Sequence, residues 1–255
     1  MLRLIKKIMR LDLYLFENNY AMSRTEAKNF ILNGKVTVNG ISVKKPSYEL
    51  TDDTAEIRVE KDAKKYVSRG GFKLECAINS FSFEICGKVA LDIGASSGGF
   101  TDCLLKNGAS KVIAVDSGSG QMAPSLRMDD RVTVIEKYNA RYMKPEDFEF
   151  VPDLAVMDVS FISATHIIPA VYNCLKNDGD FICLIKPQFE VGKNNIGKGG
   201  IVKSESARIA AVDKVVAFAK MTGFACLGTV KSDITGGDGN IEYLAHFKKR
   251  AEGEL

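Results

Sequence analysis

Val89-Ala90-Leu91-Asp92-Ile93-Gly94-Ala95-Ser96-Ser97-Gly98-Gly99-Phe100 is the stretch whose reading decides the fold. Its first half is an apolar run of strand length, its second a glycine-rich loop. Gly99–Lys106 then reads as a helix that Gly108 ends. Strand, tight turn and helix in that order open a doubly wound α/β sheet, with the turn at the carboxyl edge where such sheets bind ligands. The alternation continues outward. Lys111-Val112-Ile113-Ala114-Val115-Asp116, Val132-Thr133-Val134-Ile135, Leu154-Ala155-Val156-Met157-Asp158 and Phe181-Ile182-Cys183-Leu184-Ile185-Lys186 read as further strands. A long amphipathic helix is predicted over 204–221, closed by Gly223. The last strands, near 225–230 and 240–247, leave no room for a helix between them, so they predict an antiparallel hairpin in a mixed sheet.

The loop carries the main chemical signal. Glycines let the backbone turn tightly and approach a ligand closely. Asp116 ends the next strand, where a carboxylate meets ribose hydroxyls. Asp92 precedes the first glycine. A dinucleotide site would show G-x-G-x-x-G and leave the helix N-terminus bare for a pyrophosphate, which Asp92 would repel. Beside the ammonium or sulfonium of S-adenosylmethionine the same carboxylate attracts, so the loop favours that cofactor over NAD.

The carboxyl edge gathers further candidates. Asp158 ends the fourth strand and Lys186 the fifth. An antiparallel last strand presents its beginning there, which adds Glu242. Lys73, in Ser68-Arg69-Gly70-Gly71-Phe72-Lys73-Leu74, lies on the helix entering the fold. Lys186 stands out, because Ile185-Lys186-Pro187 closes an apolar strand where a charge is otherwise unwelcome. Lys193-Asn194-Asn195-Ile196-Gly197-Lys198-Gly199-Gly200 reads as a flexible lid over the substrate or as a plain surface loop.

The front of the chain is of another kind. Residues 1–65 carry a net charge of +4 and the remainder −1, although Arg3, Lys6 and Lys7 supply much of that excess. A helix is expected at Arg10-Leu11-Asp12-Leu13-Tyr14-Leu15-Phe16. Ser23-Arg24-Thr25-Glu26 matches the capping box that opens a second helix, which Gly34 ends. Asn39-Gly40 between Lys35-Val36-Thr37-Val38 and Ile41-Ser42-Val43-Lys44 signals a hairpin. A strand follows at Ala55-Glu56-Ile57-Arg58-Val59. Arg24, Lys28, Lys35, Lys44 and Lys45 fall on the second helix and the hairpin, as a phosphate-binding face for structured RNA or as a solvated rim.

The whole chain has 255 residues, 45% hydrophobic and 26% charged, with a net charge of +3. That composition excludes wholesale disorder, a collagenous repeat and a membrane bundle. No stretch approaches the ~20 apolar residues of a membrane span, and the basic start lacks the apolar core of a secretion signal. The six cysteines are scattered without C-x-x-C and read as buried, reduced thiols of a cytoplasmic protein. Two histidines, His166 and His246, are too few for an ordinary metal site, so no metal is expected.

Two resemblances follow from these motifs. "RLDLYLFENNYAMSRTEAKNFILNGKVTVNGISVKKP" resembles the small RNA-binding module named after small-subunit ribosomal protein four, two helices on a short sheet. The later motifs "YVSRGGFKL", "LDIGASSGGFTDCLL", "VDSGSGQ", "DLAVMDVSFIS", "IKPQFE", "KGGIV" and "GGDGNIEYL" resemble FtsJ-type RNA ribose methyltransferases, and the TlyA family over nearly the whole chain. The resemblance implies a Rossmann-like class I methyltransferase domain with a mixed seven-stranded sheet, last strand antiparallel, behind a small α+β RNA-binding domain. The expected division is 1–61 for RNA binding, 62–69 as linker and 70–255 for catalysis.

The family is described as methylating ribose 2′-hydroxyls of cytidines in ribosomal RNA from S-adenosylmethionine, and carries an older label, haemolysin. Its Lys-Asp-Lys-Glu tetrad falls on Lys73, Asp158, Lys186 and Glu242. The implied cofactor site is Asp92, Gly94, Ala95, Ser96, Ser97, Gly98, Gly99, Phe100, Asp116, Ser117, Asn139 and Asp158. Arg10 and Arg69 join the five basic residues above as candidate RNA contacts. Ribosomal RNA or ribosomal subunits are the expected partners, in the cytoplasm, with no membrane.

Transfer to a 2′-hydroxyl needs alignment of oxygen, methyl and sulfur, and removal of a proton. Alignment supplies up to ~7–11 kcal/mol and a general base ~10²–10⁴-fold. Lys186 is expected as base or hydroxyl-orienting group, with Asp158 orienting it and Lys73 and Glu242 fixing the ribose and the lysine network. Two rival readings are a membrane-active haemolysin and a base methyltransferase on the same scaffold. The second lacks the Asn/Asp-Pro-Pro-aromatic motif after the fourth strand, where Asp158-Val159-Ser160-Phe161 stands, and Cys183 lies mid-strand.

Overall fold

In the computed structural model the chain divides into two units, Met1–Tyr66 and Val67–Leu255. The structure describes residues 9–18, 20–21, 24–51, 54–60 and 65–250. Arg3, Lys6, Lys7 and the capping Ser23 lie outside the described residues.

In the first unit β1 (Met9–Arg10) leads into α1 (Leu11–Glu17) and α2 (Arg24–Leu32). Four strands follow: β2 (Val36–Val38), β3 (Ile41–Ser42), β4 (Glu49–Leu50) and β5 (Ile57–Val59). Leu11, Leu15, Ala27, Phe30 and Ile31 share one core with Val36, Val38, Val43 and Leu50. One helical stripe from each helix thus meets the alternate residues of the strands. Asn39 and Gly40 take φ of 52° and 79°, as a two-residue hairpin turn matched to strand twist requires. β2 is central, antiparallel to β3 and β5. The β1–β4 pair is absent from the sequence reading, because two residues offer no period to read.

The second unit opens with α3 (Gly70–Ser80), β6 (Val89–Ile93), α4 (Gly99–Lys106), β7 (Lys111–Val115), α5 (Pro124–Arg127) and β8 (Val132–Ile135). It continues with β9 (Leu154–Met157), α6 (Ile168–Cys174), β10 (Asp180–Ile185), α7 (Pro187–Glu190), α8 (Glu205–Thr222), β11 (Phe224–Lys231) and β12 (Tyr243–Lys249). The sheet order is β11-β12-β10-β9-β6-β7-β8. β12 runs antiparallel to both neighbours and the other pairings are parallel. This is the mixed seven-stranded sheet that the sequence predicts. Its strand order reverses beside β6, which opens the ligand crevice of such folds.

Leu91, Ile93, Ala155, Met157, Phe181, Cys183 and Ile185 are fully buried in the core, because both faces of a parallel sheet are covered. Ser204 caps α8 by accepting the Ala207 N–H at 3.2 Å, and Gly223 ends it in the left-handed region. The expectation of buried thiols holds for Cys76, Cys103, Cys174 and Cys183. Cys86, in the turn before β6, is exposed and Cys226 is half-buried. Among the described residues no helix is long and apolar enough to cross a membrane.

Candidate active site

The loop after β6 alternates its backbone hand, with φ of 81° at Gly94, 49° at Ser96 and 91° at Gly98. A Cβ on Gly94 would lie 2.3 Å from the Asp158 carbonyl oxygen, and one on Gly98 would lie 2.3 Å from Leu126 Cδ1. Only glycine lets the loop press between the end of β9 and α5. The N–H groups of Gly94 and Ala95 donate to the Val115 carbonyl at 2.9 and 3.1 Å. Asp116 accepts from the backbone N–H of Ser96 and of Gly118, each at 2.7 Å. Its carboxylate thus anchors the loop, and each oxygen keeps a lone pair for a further donor. Ser117 beside it is exposed. Asn139, also exposed, caps a short turn by accepting the Arg141 N–H at 3.1 Å.

A cleft of about 220 Å³ opens beside this loop, bordered by Ser68, Arg69, Gly70, Lys73, Gly94, Ala95, Ser96, Ser97, Gly99, Phe100, Asp158 and Gly237. Asp92 is fully buried and does not border it directly. Thr101 Oγ1 donates to Asp92 Oδ2 at 2.6 Å, while Oδ1 has no hydrogen-bond partner. Burial pushes the Asp92 carboxyl up, against the Thr101 hydrogen bond and with help from the charges of Asp158 and Asp116, to about 7.

Strand register explains why residues far apart in the chain meet here. Ile93 pairs with Met157 and Ile185 with Tyr243, so Asp158, Lys186 and Glu242 all leave the sheet at the same edge. The four tetrad candidates sort into two ion pairs. Lys73 Nζ lies 2.5 Å from Glu242 Oε2, with the two side chains 9% and 2% exposed. Lys186 Nζ lies 2.6 Å from Asp158 Oδ1 and donates to Ser160 Oγ at 2.7 Å. Asp158 Oδ1 receives no aligned hydrogen bond, so its contact with Lys186 is an ion pair off the N–H direction.

Several neighbours were not legible as site residues. Phe161 is 92% exposed with φ of 65°, a conformation costing a bulky side chain ~1–3 kcal/mol. Its ring lies 5.3 Å from that of Phe189. The available signal was an aromatic three residues after the acidic strand end at Asp158. Glu190, buried, accepts from Ser163 Oγ at 2.6 Å and from the Ala164 N–H at 2.7 Å. It thereby fixes the loop bearing Asp158, Ser160 and Phe161 to the segment bearing Lys186 and Phe189. Asn240 accepts the Val202 N–H and donates to the Gly200 carbonyl, both at 3.0 Å, so the glycine- and lysine-rich loop is tied down at its far end.

Arg69 borders the cleft and donates through Nη2 to the Thr235 carbonyl at 2.6 Å; its buried Nε has no partner. In the first unit, Arg10 and Arg24 both bind the carboxylate of Asp12. Lys35 pairs with Glu60 at 2.6 Å, and Lys28, Lys44 and Lys45 are exposed. Among the described residues no cluster of three or more His, Cys, Asp or Glu could hold a metal ion.

Comparison with known proteins identifies the family. Residues 66–249 match the FtsJ-like methyltransferase family and residues 9–55 the S4 domain. The chain is 40% identical over 246 residues to the Mycobacterium tuberculosis protein named 16S/23S rRNA (cytidine-2′-O)-methyltransferase TlyA, covering 96% of this chain and 92% of that one. It is 44% identical over 240 residues to Hemolysin A of Brachyspira hyodysenteriae, covering 94% and 99%. A solved structure from Streptococcus thermophilus that carries a hemolysin name superposes with a TM-score of 0.75 at 42% identity, covering 96% and 90%. Sheet, glycine loop, paired lysines and relatives converge: the chain belongs to the TlyA family of FtsJ-like methyltransferases, with an S4 domain in front of the methyltransferase domain.

Proposed function

We propose that this protein transfers the methyl group of S-adenosylmethionine to the ribose 2′-hydroxyl of a cytidine in ribosomal RNA, in the cytoplasm. The observation that carries the reading is Lys186, held between Asp158 and Ser160 at the carboxyl edge of the sheet, next to the glycine-loop cleft. The residues fit a cationic ligand, because Asp92 Oδ1 is a buried carboxylate oxygen without a hydrogen-bond donor and Asp158 lines the cleft. When bound, S-adenosylmethionine supplies an electrophilic methyl on a positively charged sulfur.

The protein's own residues do the rest. Lys186 Nζ is oriented by its hydrogen bond to Ser160 and its ion pair with Asp158, with a further position left for the ribose hydroxyl. Lys186 Nζ accepts the hydroxyl proton, and Asp158 at 2.6 Å stabilises the ammonium formed. Lys73, fixed by Glu242, holds the ribose, and Asp116 receives the cofactor's sugar. Phe161 offers its exposed ring to stack the target base, and the basic residues of the first unit grip phosphates. Methylation at a cytosine carbon is disfavoured by Cys183, which is fully buried in β10 with its thiol pushed up by that burial.

The product distinguishes ribose from base methylation. With purified protein, ribosomal RNA and tritiated methyl donor, alkaline hydrolysis should leave the label in an alkali-resistant dinucleotide, because a 2′-O-methyl group removes the attacking hydroxyl. Label in mononucleotides would overturn the reading.

Asp92 adds a pH signature. An isolated Asp titrates near ~3.9, and here the folded carboxyl is raised to about 7. The free fold therefore holds a proton that the unfolded chain has lost, and stability from this group falls as pH rises from ~4 to ~7. A cation bound nearby favours the carboxylate, so binding expels the proton. Affinity for S-adenosylmethionine is expected to rise as pH increases through 7, with proton release seen by calorimetry in buffers of different ionisation enthalpy. Asp92→Asn should remove that dependence; an affinity unchanged between pH 6 and 8 in the unaltered protein would contradict the assignment.

A further inference from the structure

Asp12 is a buried carboxylate between two arginines that are candidate RNA contacts. It sits in the first turn of α1 and is fully buried. Arg10 reaches it from β1 with Nε to Oδ1 at 2.9 Å and Nη2 to Oδ2 at 3.2 Å. Arg24, the first residue of α2, reaches Oδ2 through Nη2 at 3.0 Å. Both arginine side chains remain about half exposed, so each guanidinium keeps N–H donors for an acceptor outside the protein. Burial works to raise the Asp12 carboxyl, and the two arginine hydrogen bonds outweigh it, holding the carboxyl below its ordinary range.

The shared oxygen has a geometric consequence. Two Nη2 atoms bonded to one Oδ2 are at most about 6 Å apart. Guanidiniums that close repel each other, and on flexible side chains they would stay apart until an anion arrived. Asp12 brings them together beforehand and ties them to the helix. Resting on the reading of this unit as RNA-binding, we infer that Asp12 is a positioning residue: it holds Arg10 and Arg24 as a preformed pair that grips one backbone phosphate of the RNA. The cost of ordering two long side chains is then met during folding rather than on binding.

The inference reverses the sign expected from charge alone. Removing a negative charge from a phosphate-binding face should tighten RNA binding and steepen its salt dependence. Under the positioning role Asp12→Asn weakens binding instead, by roughly tenfold, the scale of two side chains losing preorganisation. The test measures binding of the full chain to purified ribosomal RNA across a series of KCl concentrations. The variants are Asp12→Asn, Arg10→Gln with Arg24→Gln, and all three together.

The expected result is a loss with Asp12→Asn that disappears in the background lacking both arginines, because the carboxylate then has nothing to position. Equal or tighter binding by Asp12→Asn would overturn the inference. So would a loss of the same size in the arginine-free background, since Asp12 would then serve the fold alone. If the double arginine variant binds as well as the unaltered chain, the RNA-binding reading of this face fails, a result distinct from failure of the Asp12 role.

Discussion

Lys186→Ala is expected to lower the methyl-transfer rate at least ~10²-fold, the lower end of what a general base contributes, while S-adenosylmethionine affinity is kept or slightly raised. Lys186 Nζ is the group held between Asp158 and Ser160, so under the proposed mechanism the substitution removes the proton acceptor and the hydroxyl's anchor together. It also frees Asp158, which borders the cleft, to attract a cationic ligand. Rate and affinity should therefore move independently. Lys186→Arg supplies a guanidinium that accepts no proton at working pH, and should be nearly as slow as the alanine variant. Single-turnover measurement with tritiated donor separates the steps; turnover near that of the unaltered protein in either variant would remove Lys186 from the mechanism.

Glu242→Gln is expected to destabilise the second unit by ~3–5 kcal/mol, a large share of a domain's stability. The partner it abandons, Lys73, is almost fully enclosed, and the two charges meet at 2.5 Å. Burying an ammonium without its counter-ion costs far more than an exposed pair would. Combining Glu242→Gln with Lys73→Met removes both charges and should recover most of the loss, yet give no methyl transfer, because the proposed mechanism needs the Lys73 ammonium to hold the ribose. Urea unfolding followed through the second unit reads this directly. A single variant as stable as the unaltered chain, or an active double variant, would contradict the role given to the pair.

The fold was legible because its central strands are buried on both faces. Leu91, Ala155 and Phe181 sit in uninterrupted apolar runs, and Ser204 and Gly223 mark the ends of α8 by cap chemistry that depends on local sequence. Of the candidate site, the glycine loop and the charged residues at strand ends stood out because they end buried apolar strands. Their pairing was less so: Lys73 and Glu242 are 169 residues apart, and only the antiparallel register of β12 brings them to one edge. Phe161 and Glu190 were hidden, the first because a left-handed backbone has no periodicity. The second was hidden because its partners Ser163 and Ala164 lie on a different loop. Asp12 looked like one more helical polar residue, since nothing local announces that two arginines from separate elements will close on it.

A crystal of the protein grown with S-adenosylmethionine tests the central claim most directly. The account predicts the donor along residues 94–100, its sulfonium end toward Asp158, with the methyl facing Lys186 Nζ across a gap that a ribose oxygen can fill. A donor seated away from this loop, or one whose methyl turns from both lysines, would leave the paired charges without the task assigned to them.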